Sequence, residues 1–204
     1  ALAAPTADFI IYIASGPRRP GDFTEKAAGH NLEVLCVDIL IGGAAQDLRL
    51  EKVCTRVCHL IALPNCVGVL ISLECRTWSA ARMNDYDESA PKALRDLDHK
   101  RGFTNAEGEL PASVTDANRM ADNAVRMLTV ASRRSKPYIV ESPVSRAAGS
   151  PFAIKGRERH ASFWTYPPIE EFATAQGNLF VIFDQCCTGQ KAQKTTQLLC
   201  SRDI

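Results

Sequence analysis

Five short runs of almost unbroken apolar residues punctuate this chain, and each ends in small, polar or charged residues. Phe9–Ala14, Leu32–Ile39, Val67–Leu73, Pro137–Val140 and Asn178–Phe183 read as strands buried on both faces, because a strand with one wet face would alternate. Helical stretches separate them. Asp47–His59 carries Leu48, Val53 and Val57 at helical spacing, and Asp116–Arg134 places Met120, Ala124, Met127, Leu128 and Ala131 on one face. This alternation predicts one α/β domain over residues 1–204, a doubly wound, mostly parallel sheet covered on both sides. Ala80–Ala112 is longer than ordinary connections, as lids and binding segments are. Glu141-Ser142-Pro143 is expected to end its strand, since proline has no N–H to give a central ladder.

Charge narrows the partners. With 24 Lys and Arg against 23 Asp and Glu, the net charge of +1 excludes a uniformly basic nucleic-acid coat and leaves room for a local basic patch. No run approaches the roughly 18 apolar residues that cross a membrane, Val67–Leu73 being the best. Ala1–Ala4 lacks the positive flank of a signal peptide, and without an initiator Met the expectation is a processed chain or an excised domain. The 8 cysteines do not form the dense framework of a small secreted scaffold. Cys36 and Cys66 read as small buried hydrophobes. Cys54, Cys58 and His59 fall in a helical pattern without a second ligand pair, which argues against zinc. The expected setting is reducing and intracellular, cytoplasm or nucleus.

In an open parallel sheet, ligands bind outside the carboxyl ends of the strands. Ser15 with Gly16, Asp38, Cys75, Glu141, and Asp184 with Gln185 occupy those ends in turn. A small-residue turn lets a ligand approach the backbone, and an acid about 20 residues on can take ribose hydroxyls. Asp38 is equally placed to be an ordinary strand-end carboxylate. Cys75 is flanked by Arg76 and Arg82, with hydroxyls at Thr77 and Ser79. Nearby guanidinium groups raise the thiolate fraction, which suits a nucleophile, although strand-end cysteines are often structural. Glu141, facing the same crevice, would act as base or proton donor; its alternative is a surface loop carboxylate.

The order of these motifs is similar to that of the DNA cytosine carbon-5 methyltransferase family. Ser15-Gly16-Pro17, Asp38, Asp47-Leu48, Glu74-Cys75-Arg76-Thr77-Trp78-Ser79, Pro91-Lys92-Ala93-Leu94-Arg95, Glu141-Ser142-Pro143 and Gln185-Cys186-Cys187-Thr188-Gly189 with Lys194-Thr195 follow one another through nearly the whole chain. In this the chain most resembles the short methylase-like domains of phages and mobile-element polyproteins.

The resemblance implies a Rossmann-like fold of the S-adenosylmethionine-dependent methyltransferase type. It places that cofactor at Ser15, Gly16 and Pro17, with its ribose at Asp38 and its adenine amino group at Asp47. Cys75 would add to carbon 6 of a cytosine, and Glu141 would hold or protonate ring nitrogen 3. A cytosine in duplex DNA must be flipped out to be reached. Arg76, Ser79, Arg82, Arg95, Gln185, Lys191 and Lys194 would meet the nucleic acid, the basic ones through phosphates. The chain departs from the family where Glu74 replaces the usual proline and Ser142 the usual asparagine, and it shows no separate target-recognition region. Asn123-Ala124-Val125 is faintly like a late cofactor motif but sits in the clearest helix, where it reads as structural. Two readings stay open: an active cytosine methylase, or a non-catalytic domain of a larger protein that keeps cofactor or nucleic-acid binding.

Overall fold

The computed structural model describes residues 2–83, 91–175, 177–188 and 194–202. Four strands are hydrogen-bonded in parallel, β1 (Phe9–Ile13), β2 (Glu33–Val37), β3 (Cys66–Ile71) and β4 (Tyr138–Pro143), with β2 at one edge of the sheet. Two more complete the sheet, β5 (Leu179–Asp184) and β6 (Thr195–Cys200), in the order β2-β1-β3-β4-β6-β5. β6 alone runs backwards, pairing antiparallel with both β4 and β5. The protein is thus α/β with a mixed, mostly parallel six-stranded sheet, an arrangement compatible with a Rossmann-like fold.

The two faces of the sheet are covered unequally. Phe9, Ile11, Ile13, Val69, Ile71, Tyr138 and Val140 are buried on one face. There lie α3 (Glu51–Ile61), α4 (Ala112–Arg133) and α5 (Pro167–Ala175), with α4 packed between the other two and Phe172 of α5 meeting Tyr138 at 5.7 Å. The opposite face presents Ile10, Tyr12, Val34, Cys36, Leu70, Ile139 and Leu198, all half-buried. Its described helix is α1 (Phe23–Ala28), only 6 residues long, whose Phe23 ring stands edge-on to Tyr12 at 5.9 Å. The expectation of full cover on both sides is therefore corrected. Right-handed connections put a helix on one face or the other according to the direction of travel. Only the β1-to-β2 step travels towards β2; the connections that reach β3, β4 and β5 go the other way and stack their helices together.

Further corrections have local causes. Cys36 is half-buried rather than core, because it lies on the thinly covered face beside Thr24. Pro143 belongs to β4 after all. Val144 N–H donates to the Thr195 carbonyl of β6 and the Tyr138 carbonyl accepts the N–H of Ser201, just past β6, while the Pro137 carbonyl accepts from Val69 of β3, so odd-numbered residues of β4 turn their peptide groups towards β3. The last β3–β4 pair is Ile71 with Val140, so the missing N–H of Pro143 lies beyond the end of β3 and disrupts nothing. β5 forms as expected but at the sheet's edge, with Leu179, Phe180, Val181 and Ile182 about half exposed. α4 starts at Ala112, ahead of the expected Asp116, with Pro111 as its extended N-cap residue. Asn123 is structural within α4, its Nδ2 donating to the Leu48 carbonyl at 2.7 Å. Among the described residues no helix is long and apolar enough to cross a membrane.

Candidate functional site

β1 leads to β2 on one side and is flanked by β3 on the other, so the carboxyl ends of β1 and β3 form the topological switch point of the sheet. Backbone conformation changes abruptly there. Ala14 has φ +53° and Gly16 φ +69°, both left-handed, and a Cβ on Gly16 would meet nothing within 4 Å. Ser15 donates from Oγ to the Gly16 carbonyl at 3.3 Å, and Pro17 follows in the same turn. Asp38 closes over this turn. Its Oδ2 accepts the Gly16 N–H at 2.9 Å and its Oδ1 accepts the Leu40 N–H at 2.7 Å, capping α2 (Ile39–Gly42). Each oxygen keeps a second lone pair, so a ribose hydroxyl could still donate to it. Gly16 and Asp38 thus fit a nucleoside-containing cofactor. Asp47 fits less well, because Arg49 grips both its oxygens, each at 2.9 Å, and holds its carboxyl below the usual range. Arg49 also reaches Asp116 at 2.6 Å.

Asp38→Ala is expected to cost about 1–2 kcal/mol, since it removes a helix cap and strands the Gly16 N–H. Urea unfolding measures it, and Asp38→Asn, which keeps an acceptor, should recover most of the loss.

The second half of the site follows from strand register. Ile13, Ile71 and Val140 lie side by side across β1, β3 and β4. One residue further, on the opposite face of the sheet, come Ala14, Ser72 and Glu141. Ser72 donates from Oγ to Glu141 Oε2 at 2.6 Å, and Lys194 Nζ approaches Glu141 Oε1 at 3.2 Å. Tyr12 shares that face; burial first, then the Glu141 charge, push its phenol above the usual range. Glu141 and Lys194 were legible in the sequence and are brought together. Tyr12 and Ser72 were not singled out, although period-two alternation puts both on the face that carries Glu141.

Cys75 begins a tight turn through Arg76–Trp78. Its thiol is free, half-buried and without a hydrogen bond among the described residues. No described contact joins it to Glu141. Arg76 pairs with Glu74 at 2.8 Å, the two side chains 72% and 69% exposed, so the pair contributes little to stability and leaves Arg76 open to solvent. Arg82 folds back onto the carbonyls of Arg76 and Lys92, at 2.8 and 3.3 Å. Ser79 caps the next turn by accepting the Ala81 N–H. Gln185 stays beside Lys194, to whose carbonyl its N–H donates at 3.0 Å. Lys191 and Gly189 lie outside the described residues.

Arg95 requires a correction. It is only 3% exposed and bonds to internal partners, so it cannot reach a phosphate on a bound nucleic acid. Sequence alone gives the charge of a residue but not its depth.

Trp78 anchors the Cys75 turn in the core, edge-on to Phe163 at 5.9 Å and Tyr166 at 5.2 Å. Its carbonyl meets Nε2 of buried His160 at 2.8 Å, while Nδ1 of the same ring accepts the Arg146 N–H at 3.0 Å. Nδ1 therefore carries no proton and Nε2 does. Burial, the larger cause, disfavours the charged ring and lowers its pKa from 6.5. The sign follows: the unfolded ring takes up a proton near 6.5 and the folded ring does not, so stability present above that pH is lost as pH falls below it. Urea midpoints should drop between pH 7 and about 5, and His160→Gln should flatten that slope.

No family model, curated protein or solved structure matches this chain, so any functional reading rests on the geometry above and on the sequence motifs.

Proposed function

We propose that the protein methylates carbon 5 of cytosine in DNA, using S-adenosylmethionine and a covalent bond to Cys75. The observation that carries the reading is the meeting, at one switch point, of the Gly16–Asp38 clasp with the Ser72–Glu141–Lys194 cluster. The clasp suits a nucleoside on the β1–β2 side. The carboxylate suits a ring nitrogen or exocyclic amine on the β4 side. Cys75 follows β3, the strand between them.

S-adenosylmethionine would supply the methyl group. Cys75 would add as thiolate to carbon 6, making carbon 5 nucleophilic, with Glu141 hydrogen-bonded at ring nitrogen 3 to offset the charge pushed into the ring. Attack of carbon 5 on the methyl group would release S-adenosylhomocysteine, and loss of the carbon-5 proton to solvent would then expel the Cys75 thiolate and restore the aromatic ring. Arg76, exposed and paired only with the equally exposed Glu74, would meet a phosphate. The seven described cysteines are all free, in keeping with an intracellular setting.

One observation favours the second reading, a non-catalytic binding domain of a larger protein: among the described residues no contact joins the Cys75 thiol to Glu141. Incubation with tritiated S-adenosylmethionine and DNA decides between them. Label in 5-methylcytosine is expected. Cofactor binding without label, across several DNA sequences, would leave the binding domain.

A further inference from the structure

We infer that Arg95 is the positioning residue of the Cys75 turn, holding Thr77 and Trp78 so that the thiol is presented in one orientation. This rests on the reading of Cys75 as the reactive thiol. The Arg95 guanidinium carbon lies 3.4 Å from the centroid of the Trp78 ring. Its Nη2 donates to Thr77 Oγ1 at 3.2 Å, and its Nη1 to Asn118 Oδ1 of α4 and to the Lys100 carbonyl, both at 3.0 Å. Asn118 is itself fixed, its Nδ2 donating to the Arg101 carbonyl at 2.7 Å. One side chain thus ties the Cys75 turn to α4 and to the segment following residue 91.

The cost of this arrangement is what points to a role. Arg95 has no carboxylate partner among the described residues, and its Nε is buried without an acceptor. Burial pulls its pKa down to about 10, which still leaves it charged at neutral pH. An apolar side chain of similar volume would fill the space more cheaply. It could not reproduce the directed fork, which fixes the Thr77 hydroxyl and the Trp78 ring together. The Trp78 N–H in turn donates to the Cys75 carbonyl at 2.9 Å, so what holds Trp78 also holds the backbone of Cys75.

The test reads the alkylation rate of Cys75 by iodoacetamide in the intact protein, by peptide mass spectrometry, with exposed Cys186 as internal reference. Thr77→Val removes one arm of the fork and leaves Arg95 in place. It should raise the Cys75 rate relative to Cys186 about fivefold, the equivalent of one net hydrogen bond. Thr77→Ser, which keeps the hydroxyl, should restore the wild-type ratio, and Arg95→Lys, which loses the fork, should behave like Thr77→Val. Unchanged ratios in folded Thr77→Val and Arg95→Lys would overturn the inference. So would a parallel rise at buried Cys54, Cys58 and Cys66, which would signal general loosening rather than release of one turn. None of these rates requires methyl transfer, so failure of the enzymatic reading and failure of this inference are separable.

Discussion

DNA carrying 5-fluorocytosine is expected to become covalently attached to Cys75 in the presence of S-adenosylmethionine, and Cys75→Ala to abolish the adduct. The expectation follows from the proposed chemistry. Once the thiolate has added to carbon 6 and carbon 5 has been methylated, release requires loss of a proton from carbon 5. Fluorine cannot leave as a proton does, so the thioether persists and survives denaturing electrophoresis. Glu141→Gln should slow adduct formation on the order of a hundredfold, in the range for loss of a positioned acid or base. Ser72→Ala should have a smaller effect in the same direction, since it frees Glu141 from a 2.6 Å contact without removing it. An adduct at Cys186 would reassign the nucleophile. No adduct, on folded protein that binds the cofactor, would leave the binding-domain reading.

Trp78→Ala is expected to be among the most destabilising single changes in the molecule, about 3–5 kcal/mol in urea unfolding at neutral pH. Trp78 is 4% exposed and touches Phe163, Tyr166 and Arg95. Removing the indole leaves a cavity and takes away the aromatic face on which a buried cation rests. Trp78→Phe, which keeps a smaller ring there, should cost less than half as much. A Trp78→Ala loss under about 1 kcal/mol would mean that the site collapses freely and does not brace the Cys75 turn.

Much of this was legible in the residues, and the failures share a cause. The strands at Phe9, Glu33, Cys66 and Tyr138 announce themselves because burial selects apolar runs, and the strand at Leu179 does so by its apolar run although it lies half exposed at the edge. β6 does not, since Thr195, Thr196 and Gln197 make its first half polar. Thr195 is buried through bonds to Asp184 and Arg146, partners that only the fold supplies. The same holds for the candidate site. Gly16, Asp38 and Glu141 were singled out because strand ends collect chemistry, and Lys194 because of the family resemblance. Tyr12 and Ser72 escaped notice because a tyrosine and a serine within apolar strands acquire meaning only when register sets them beside Glu141. Arg95 was misplaced because a guanidinium buried over an indole is spelled like one on the surface.

The reversed strand has a consequence for how the chain is made. β6 is synthesised after β5 yet lies between β5 and β4, and β5 joins the sheet only through it. As the polypeptide leaves the ribosome, β1 to β4 can assemble in order, but β5 emerges before β6, the strand it pairs with in the finished sheet. The sheet closes only when β6 arrives and inserts between β4 and β5. Completion is therefore a late event, and a nascent chain stalled between β5 and β6 leaves the outer edge of β4 open to a wrong partner.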